Sequence, residues 1–276
     1  IAGINMAPAS RQSTTGSGGL MTMDRPGNNY KNLTWGGRAL RNFSTTTITG
    51  TTAGLSAPVA VRDTGVTLFG SGSLSDTSHL KYYLGVYDGI QAGSNDKLRM
   101  TARAQWNFGD AEAGYYNTST YLGKKKTLAF GVSYDVQDQV LPGSGSGSFA
   151  DYSYYSVDAF ADWPMGEGTL TAEAAFSNLD LDGAAPNAEG DGFYVQAGYY
   201  QNQWQPWIAY ETWDSDATGL AAGTGSYDAY RIGVSYFFKG HNANVKAGFE
   251  SLDSDVPISG SDDSSNAFIL GFYITY

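Results

Sequence analysis

Between Lys97 and Phe108 the chain alternates without exception: Lys97, Arg99, Thr101, Arg103, Gln105 and Asn107 are polar, whereas Leu98, Met100, Ala102, Ala104, Trp106 and Phe108 are apolar or small. A period of two places these sets on opposite faces of a β-strand; wound as a helix, the same residues would mix charge and hydrocarbon all round. Segments of similar length and rhythm run over about 64–74, 79–88, 126–136, 152–163, 168–178, 191–201, 204–213, 227–239, 241–251 and 265–276. With an opening strand over 1–8, twelve strands are expected and the fold class is all-β. About ten residues of two-faced strand is the length of one tilted bilayer crossing. The expected architecture is therefore a transmembrane antiparallel β-barrel forming a single domain over 1–276.

Composition removes several alternatives. No run of eighteen apolar residues occurs and mean hydropathy is -0.30, so no transmembrane helix is expected. Alternating strands can nevertheless cross a bilayer at polar average hydropathy, provided that a closed barrel satisfies every backbone group. Soluble β-sandwiches share the alternation and the glycine-rich turns. The pairs Tyr82-Tyr83, Tyr154-Tyr155 and Tyr199-Tyr200, and the run Tyr236-Phe237-Phe238, lie near strand ends, where interfacial girdles belong. The chain has no cysteine, hence no disulfide framework or thiolate metal site, and its net charge of -11 argues against nucleic acid as a partner.

The connections differ in kind on the two sides. Short ones occur at 164–167, 202–203 and 239–240, and long polar ones at 137–151, 179–190, 214–226 and 252–264. Short turns on one side and long loops on the other is the outer-membrane pattern. The last segment alternates Phe268, Leu270, Phe272, Ile274 and Tyr276, similar to the C-terminal signal by which bacterial barrels are recognised for assembly. With that end in the periplasm every short turn is periplasmic and every long loop external, so the bacterial outer membrane is the expected location. Two segments break the rhythm. Residues 9–63 are rich in Thr, Ser, Gly and Asn and far exceed an ordinary connection. Residues 110–125 read as either an elaborated periplasmic turn or a short additional strand.

Three stretches carry a family resemblance. Arg62-Asp63-Thr64-Gly65-Val66-Thr67-Leu68-Phe69-Gly70, then Leu84-Gly85-Val86-Tyr87-Asp88-Gly89, resemble the phosphate- and pyrophosphate-selective porins, with their R-D-x-G-V-x-L-x-G and G-V-[FY]-[ND]-G motifs. Asn107-Phe108-Gly109-Asp110-Ala111-Glu112-Ala113-Gly114-Tyr115-Tyr116 is similar to N-F-x-D-P-E-P-G-Y-Y, with Ala111 and Ala113 in place of both prolines. The resemblance implies a sixteen-stranded barrel, a homotrimer, and a long extracellular loop folded into the lumen. Residues 9–63 would be that constriction loop, the twelve strands would be the fifth to the sixteenth, and four N-terminal strands would precede Ile1.

In a channel, fixed charge at the narrowest point selects ions because little water is present to screen it. Residues 9–63 carry Arg11, Arg25, Lys31, Arg38, Arg41 and Arg62 against Asp24 and Asp63, a local +4 in a chain whose remainder is -15. With Lys97, Arg99 and Arg103 on the polar face of one strand, these nine cations are the candidate anion-selecting residues. Arginine suits oxyanions because its planar fork donates two hydrogen bonds. Lys81, Arg231 and Lys246 also fall on polar faces, as do Asp158, Asp162, Glu173, Glu211 and Glu250, so the alternative is that the cations balance carboxylates across the wall.

The expected function is a passive water-filled channel for small hydrophilic solutes, with mild preference for anions such as phosphate. Outer-membrane lipid and lipopolysaccharide are the expected surroundings, and an anchor or scaffold for another envelope component is the alternative. No enzymatic activity and no cofactor are expected. His79 and His241 both lie beside turns with no G-x-S-x-G sequence nearby, and Asp253, Asp255, Asp262 and Asp263 lack the spacing of a calcium loop.

Overall fold

The computed structural model describes residues 1–23, 25, 62–89, 97–142, 149–180, 189–216, 226–255 and 263–274. They form one antiparallel sheet of twelve strands in chain order: β1 (Ala2–Met6), β2 (Arg62–Ser75), β3 (Ser78–Tyr87), β4 (Arg99–Gly109), β5 (Thr127–Pro142), β6 (Phe149–Met165), β7 (Gly168–Asp180), β8 (Gly190–Tyr200), β9 (Trp204–Ser215), β10 (Tyr227–His241), β11 (Ala243–Ser254) and β12 (Ser264–Ile274). Every strand pairs with its neighbours in sequence. β1 and β12 are the two edges, and no ladder joins them among the described residues. The sheet is thus open, and the four further strands that the family resemblance implies have no counterpart in it.

The twelve expected strands are all present, with shifted ends. β5 and β6 continue well past 136 and before 152, leaving 143–148 rather than 137–151 between them. An irregularity between Gln137 and Leu141, with Gln139 at φ 59, interrupts the alternation there and hides the strands' continuation from a period-two reading. β10 likewise runs to His241, so only Asn242 separates it from β11. Residues 110–126 add no strand; their sole ladder contact is a parallel bridge between Thr15 and Asn117. Tyr276 lies outside the described residues.

The faces are inverted relative to a water-soluble sheet. On β4 the charged and polar positions Arg99, Thr101, Arg103, Gln105 and Asn107 are buried, and Met100, Trp106 and Phe108 are exposed. The same holds across the molecule: Leu68, Leu84, Val132, Ile208, Ile232 and Leu270 all face outward. Exposed hydrocarbon on this scale is rare in monomeric soluble proteins and marks a surface that meets a partner or a membrane.

The polar face is covered because the sheet rolls up around its own connections. Asn117 accepts a hydrogen bond from Lys81 on β3 (2.8 Å), while the carbonyl of Thr120 meets His241 Nε2 at the end of β10 (2.9 Å). In a flat sheet these strands would lie about 34 Å apart, whereas three residues of chain reach only about 11 Å. Curvature also shows at Trp207 on β9, whose ring lies over Gly233 and Gly248 on β10 and β11 and donates from Nε1 to Ser235 Oγ (3.1 Å). A Cβ at Gly233 would collide with this ring. Gly233→Val is expected to displace Trp207 and destabilise the fold by about 1–3 kcal/mol, the usual cost of overpacking, read as a lower unfolding midpoint and a red-shifted tryptophan emission.

Candidate functional site

The covered face is crossed by two connections that enter from opposite ends of the sheet. Residues 7–25 follow β1 at the long-loop end; residues 110–126 join β4 to β5 at the short-turn end. The first is folded locally by its small hydroxyl residues. Ser10 and Ser13 exchange bonds from each backbone N–H to the other's Oγ (2.9 and 3.0 Å), and Thr14 and Thr15 donate back to the carbonyl of Arg11 (2.9 and 3.0 Å). Such short side chains divert the backbone from a strand ladder into tight turns, here the 3-10 turns Gln12–Thr14 and Ser17–Gly19.

Arg11 projects from the first of these turns into the core. It donates to both oxygens of Glu112 (3.0 and 2.7 Å) and to the carbonyl of Thr118 (3.1 Å), and its guanidinium lies 3.7 Å from the centre of the Phe160 ring. Glu112 also accepts from Gln105 (2.7 Å), Asn107 (2.9 Å) and Tyr121 (2.5 Å). Burial by itself opposes the charge on Glu112; the adjacent Arg11 charge, with hydrogen bonds from Arg11, Tyr121 and Asn107, outweighs it and holds the carboxyl at about 2.

The remaining arginines are paired in the same manner. Arg99 bridges Asp135 (2.5 Å) and Asp63 (3.3 Å), and Arg231 lies between Glu211 (2.9 Å) and Glu250. Arg103 on β4 reaches over β5 to Asp158 on β6 (2.5 Å). Gly131 permits that crossing, since a Cβ there would stand 2.6 Å from Asp158 Oδ1 and closer still to Arg103. Lys81 donates to Asn117, and Lys246 to the carbonyls of Leu20 and Thr22 (3.0 Å to the latter). Arg25 donates to the carbonyls of Gln12 (3.2 Å) and Thr15 (2.5 Å).

Of the nine cations read from the sequence, Arg11, Arg25, Arg99 and Arg103 are thus brought onto the covered face. Arg11, Arg99 and Arg103 each pair there with a carboxylate. Arg62 at the start of β2 and Lys97 just before β4 are exposed, and Lys31, Arg38 and Arg41 lie outside the described residues. Among the described residues Arg11, Arg25, Lys81, Arg99, Arg103, Arg231 and Lys246 are accompanied by the carboxylates of Glu112, Asp135, Asp158, Asp162, Glu173, Glu189, Glu211 and Glu250, and by Asp63. Glu112 was not foreseen as a site residue. Its signal is faint: the loss of alternation after Asn107, and a carboxylate in a segment too long for a turn. His79 and His241 each meet a backbone carbonyl, of Gly109 and Thr120 respectively (both 2.9 Å). Among the described residues no three metal-ligating side chains converge.

No family model matches the chain. It is similar to an uncharacterized protein of Aquifex aeolicus (strain VF5), with 24% identity over 199 residues, covering 63% of this chain and 46% of that protein. The matched region is about half the length of that relative.

Removing one partner of a buried ion pair leaves the other charge stranded, at a cost of about 3–5 kcal/mol. Glu112→Ala is therefore expected to release residues 7–25, detected as new tryptic cleavage after Arg11, which is fully buried in the intact chain. Because the folded-state pKa of Glu112 lies below its ordinary value of 4.5, its contribution is complete above pH 4.5 and is lost as pH falls through about 2. Wild-type protein should resist cleavage after Arg11 throughout the neutral range, with an acid-stable protease detecting release of the segment only toward pH 2.

Proposed function

We propose that this chain is a transmembrane β-barrel component of a bacterial outer membrane that passes small hydrophilic solutes, with residues 7–25 narrowing the passage. The observation that carries this reading is the inversion of the sheet: hydrocarbon outside, and a rolled interior of Arg, Lys, Asp, Glu, Gln and Thr. That is the arrangement in which lipid replaces water as the outer solvent and the polar wall lines a route. Anchoring another envelope component would call for a connection that projects outward. The described part of the long connection instead turns inward across the polar face, from Arg11 against Phe160 of β6 to Met23, whose carbonyl accepts from Tyr273 of β12. The resemblance to phosphate- and pyrophosphate-selective porins is in keeping with transport. Closure of the open sheet, into twelve strands or sixteen, and assembly as a homotrimer belong to the same proposal.

The paired arginines bear on selectivity. A guanidinium that shares its charge with a carboxylate at hydrogen-bonding distance presents little net field to a passing ion. We therefore read ion discrimination as mild. Anion preference, phosphate included, would be set by cations without a carboxylate partner, such as Lys81, which has none within salt-bridge distance among the described residues.

Planar-bilayer recordings under a KCl gradient test this reading. Wild-type protein is expected to give discrete conductance steps with a reversal potential close to zero. Arg103→Ala should shift it toward cation preference by exposing Asp158, and Arg103→Ala combined with Asp158→Ala should restore it. An unpaired anion filter would give the same loss of anion preference in both variants, and the absence of conductance steps would contradict the channel itself.

A further inference from the structure

We propose that residues 110–126 and residues 7–25 interlock as the permeability barrier of this protein, an inference that rests on the channel reading above. Each segment bonds to several strands of the rolled sheet. They meet in its interior, and the contact is made largely by backbone. Gly16 N–H donates to the carbonyl of Asn117 (3.0 Å), Asn117 N–H to that of Thr14 (2.9 Å), and Ser119 N–H to that of Gly19 (2.9 Å). The bidentate pair between Arg11 and Glu112 closes the same junction, with Arg11 also bound to the carbonyl of Thr118.

Each segment is separately tied to the surrounding wall. Asn117 holds Lys81 on β3, Ser119 Oγ accepts from Gln196 on β8 (3.0 Å), Thr120 Oγ1 accepts from Gln205 on β9 (3.2 Å), and Tyr121 N–H donates to Asp162 on β6. On the other side Ser235 Oγ on β10 donates to the carbonyl of Met21 (2.9 Å), and Lys246 and Tyr273 hold the carbonyls of Leu20 and Met23. Four of the five residues from Asn117 to Tyr121 thus span β3, β6, β8, β9 and β10. At that level the interior side chains of both the wall and the junction are buried, including Thr14, Thr15, Asn117, Ser119 and Thr120. Solute can cross this level only if the backbone contacts between the two segments part. The β4–β5 connection is then half of the barrier rather than a long turn, and Glu112 is a positioning residue that holds Arg11 across the junction.

The chain has no cysteine, so an engineered tie between the segments is a clean probe. Thr15 and Asn117 face one another across a parallel bridge, where Cα atoms stand about 5 Å apart, within the range a disulfide accepts. Thr15→Cys with Asn117→Cys in the full chain, recorded in planar bilayers after mild oxidation and again after dithiothreitol, should be closed when oxidised and conduct when reduced; each single-cysteine variant should ignore both treatments. Replacing residues 113–119 by a short Gly/Ser linker should raise single-channel conductance several-fold, with circular dichroism confirming that the sheet persists. Equal conductance before and after reduction, in a protein shown by mass to be cross-linked, would overturn the interlock and leave the channel reading standing. Absence of conductance from wild type, reduced and linker forms alike would overturn both.

Discussion

A sheet that shows hydrocarbon to its surroundings and turns its charged side chains inward must neutralise those charges from within, because desolvated ions are tolerated only when paired and hydrogen-bonded. The interior of this molecule is arranged around that constraint. Arg99 and Arg231 each take two carboxylates, Arg103 takes one across an intervening strand, and Arg11 draws Glu112 from a connection on the far side of the sheet. Lys246 and Arg25 also hold backbone carbonyls, those of Leu20, Thr22, Gln12 and Thr15, which fixes the course of residues 7–25.

The same constraint shapes what the interior can discriminate. Buried pairs add little net stability over apolar packing but penalise rearrangement strongly, since parting one exposes two unpaired ions. An interior built this way favours a defined course for the crossing segments and a weak net field, in keeping with the proposed general passage of small polar solutes. The junction of Arg11 with Glu112 differs from the other pairs in joining two connections rather than two strands.

Much of this was legible in the sequence because the period-two pattern reports faces directly. All twelve strands could be read from it, and β4 most plainly, since no residue between Lys97 and Phe108 breaks the alternation. The pattern failed where the backbone departs from regular pleat, as at Gln139, and could not extend β5 and β6 to their true ends. The candidate site was half legible. Alternation places Arg99 and Arg103 inward and puts Asp158, Glu211 and Glu250 on the same polar faces, but it carries no distances. That Arg103 meets Asp158 over Gly131, two strands away, depends on register and on a missing side chain. The partnership of Arg11 with Glu112 joins residues 101 positions apart through irregular backbone, for which no periodic signal exists.

In the proposed arrangement the apolar face meets lipid and the polar face does not. Single nitroxide labels placed one at a time along β4 from Arg99 to Phe108, in protein reconstituted into vesicles, test it through collision with oxygen, which concentrates in hydrocarbon, and with a water-soluble nickel chelate. Labels at 100, 102, 104 and 106 are expected to collide with oxygen and be shielded from the chelate, with 101, 103 and 105 shielded from oxygen, giving a period of two. Free access of the chelate to 100, 102, 104 and 106 would place that face in water and contradict the membrane-spanning arrangement.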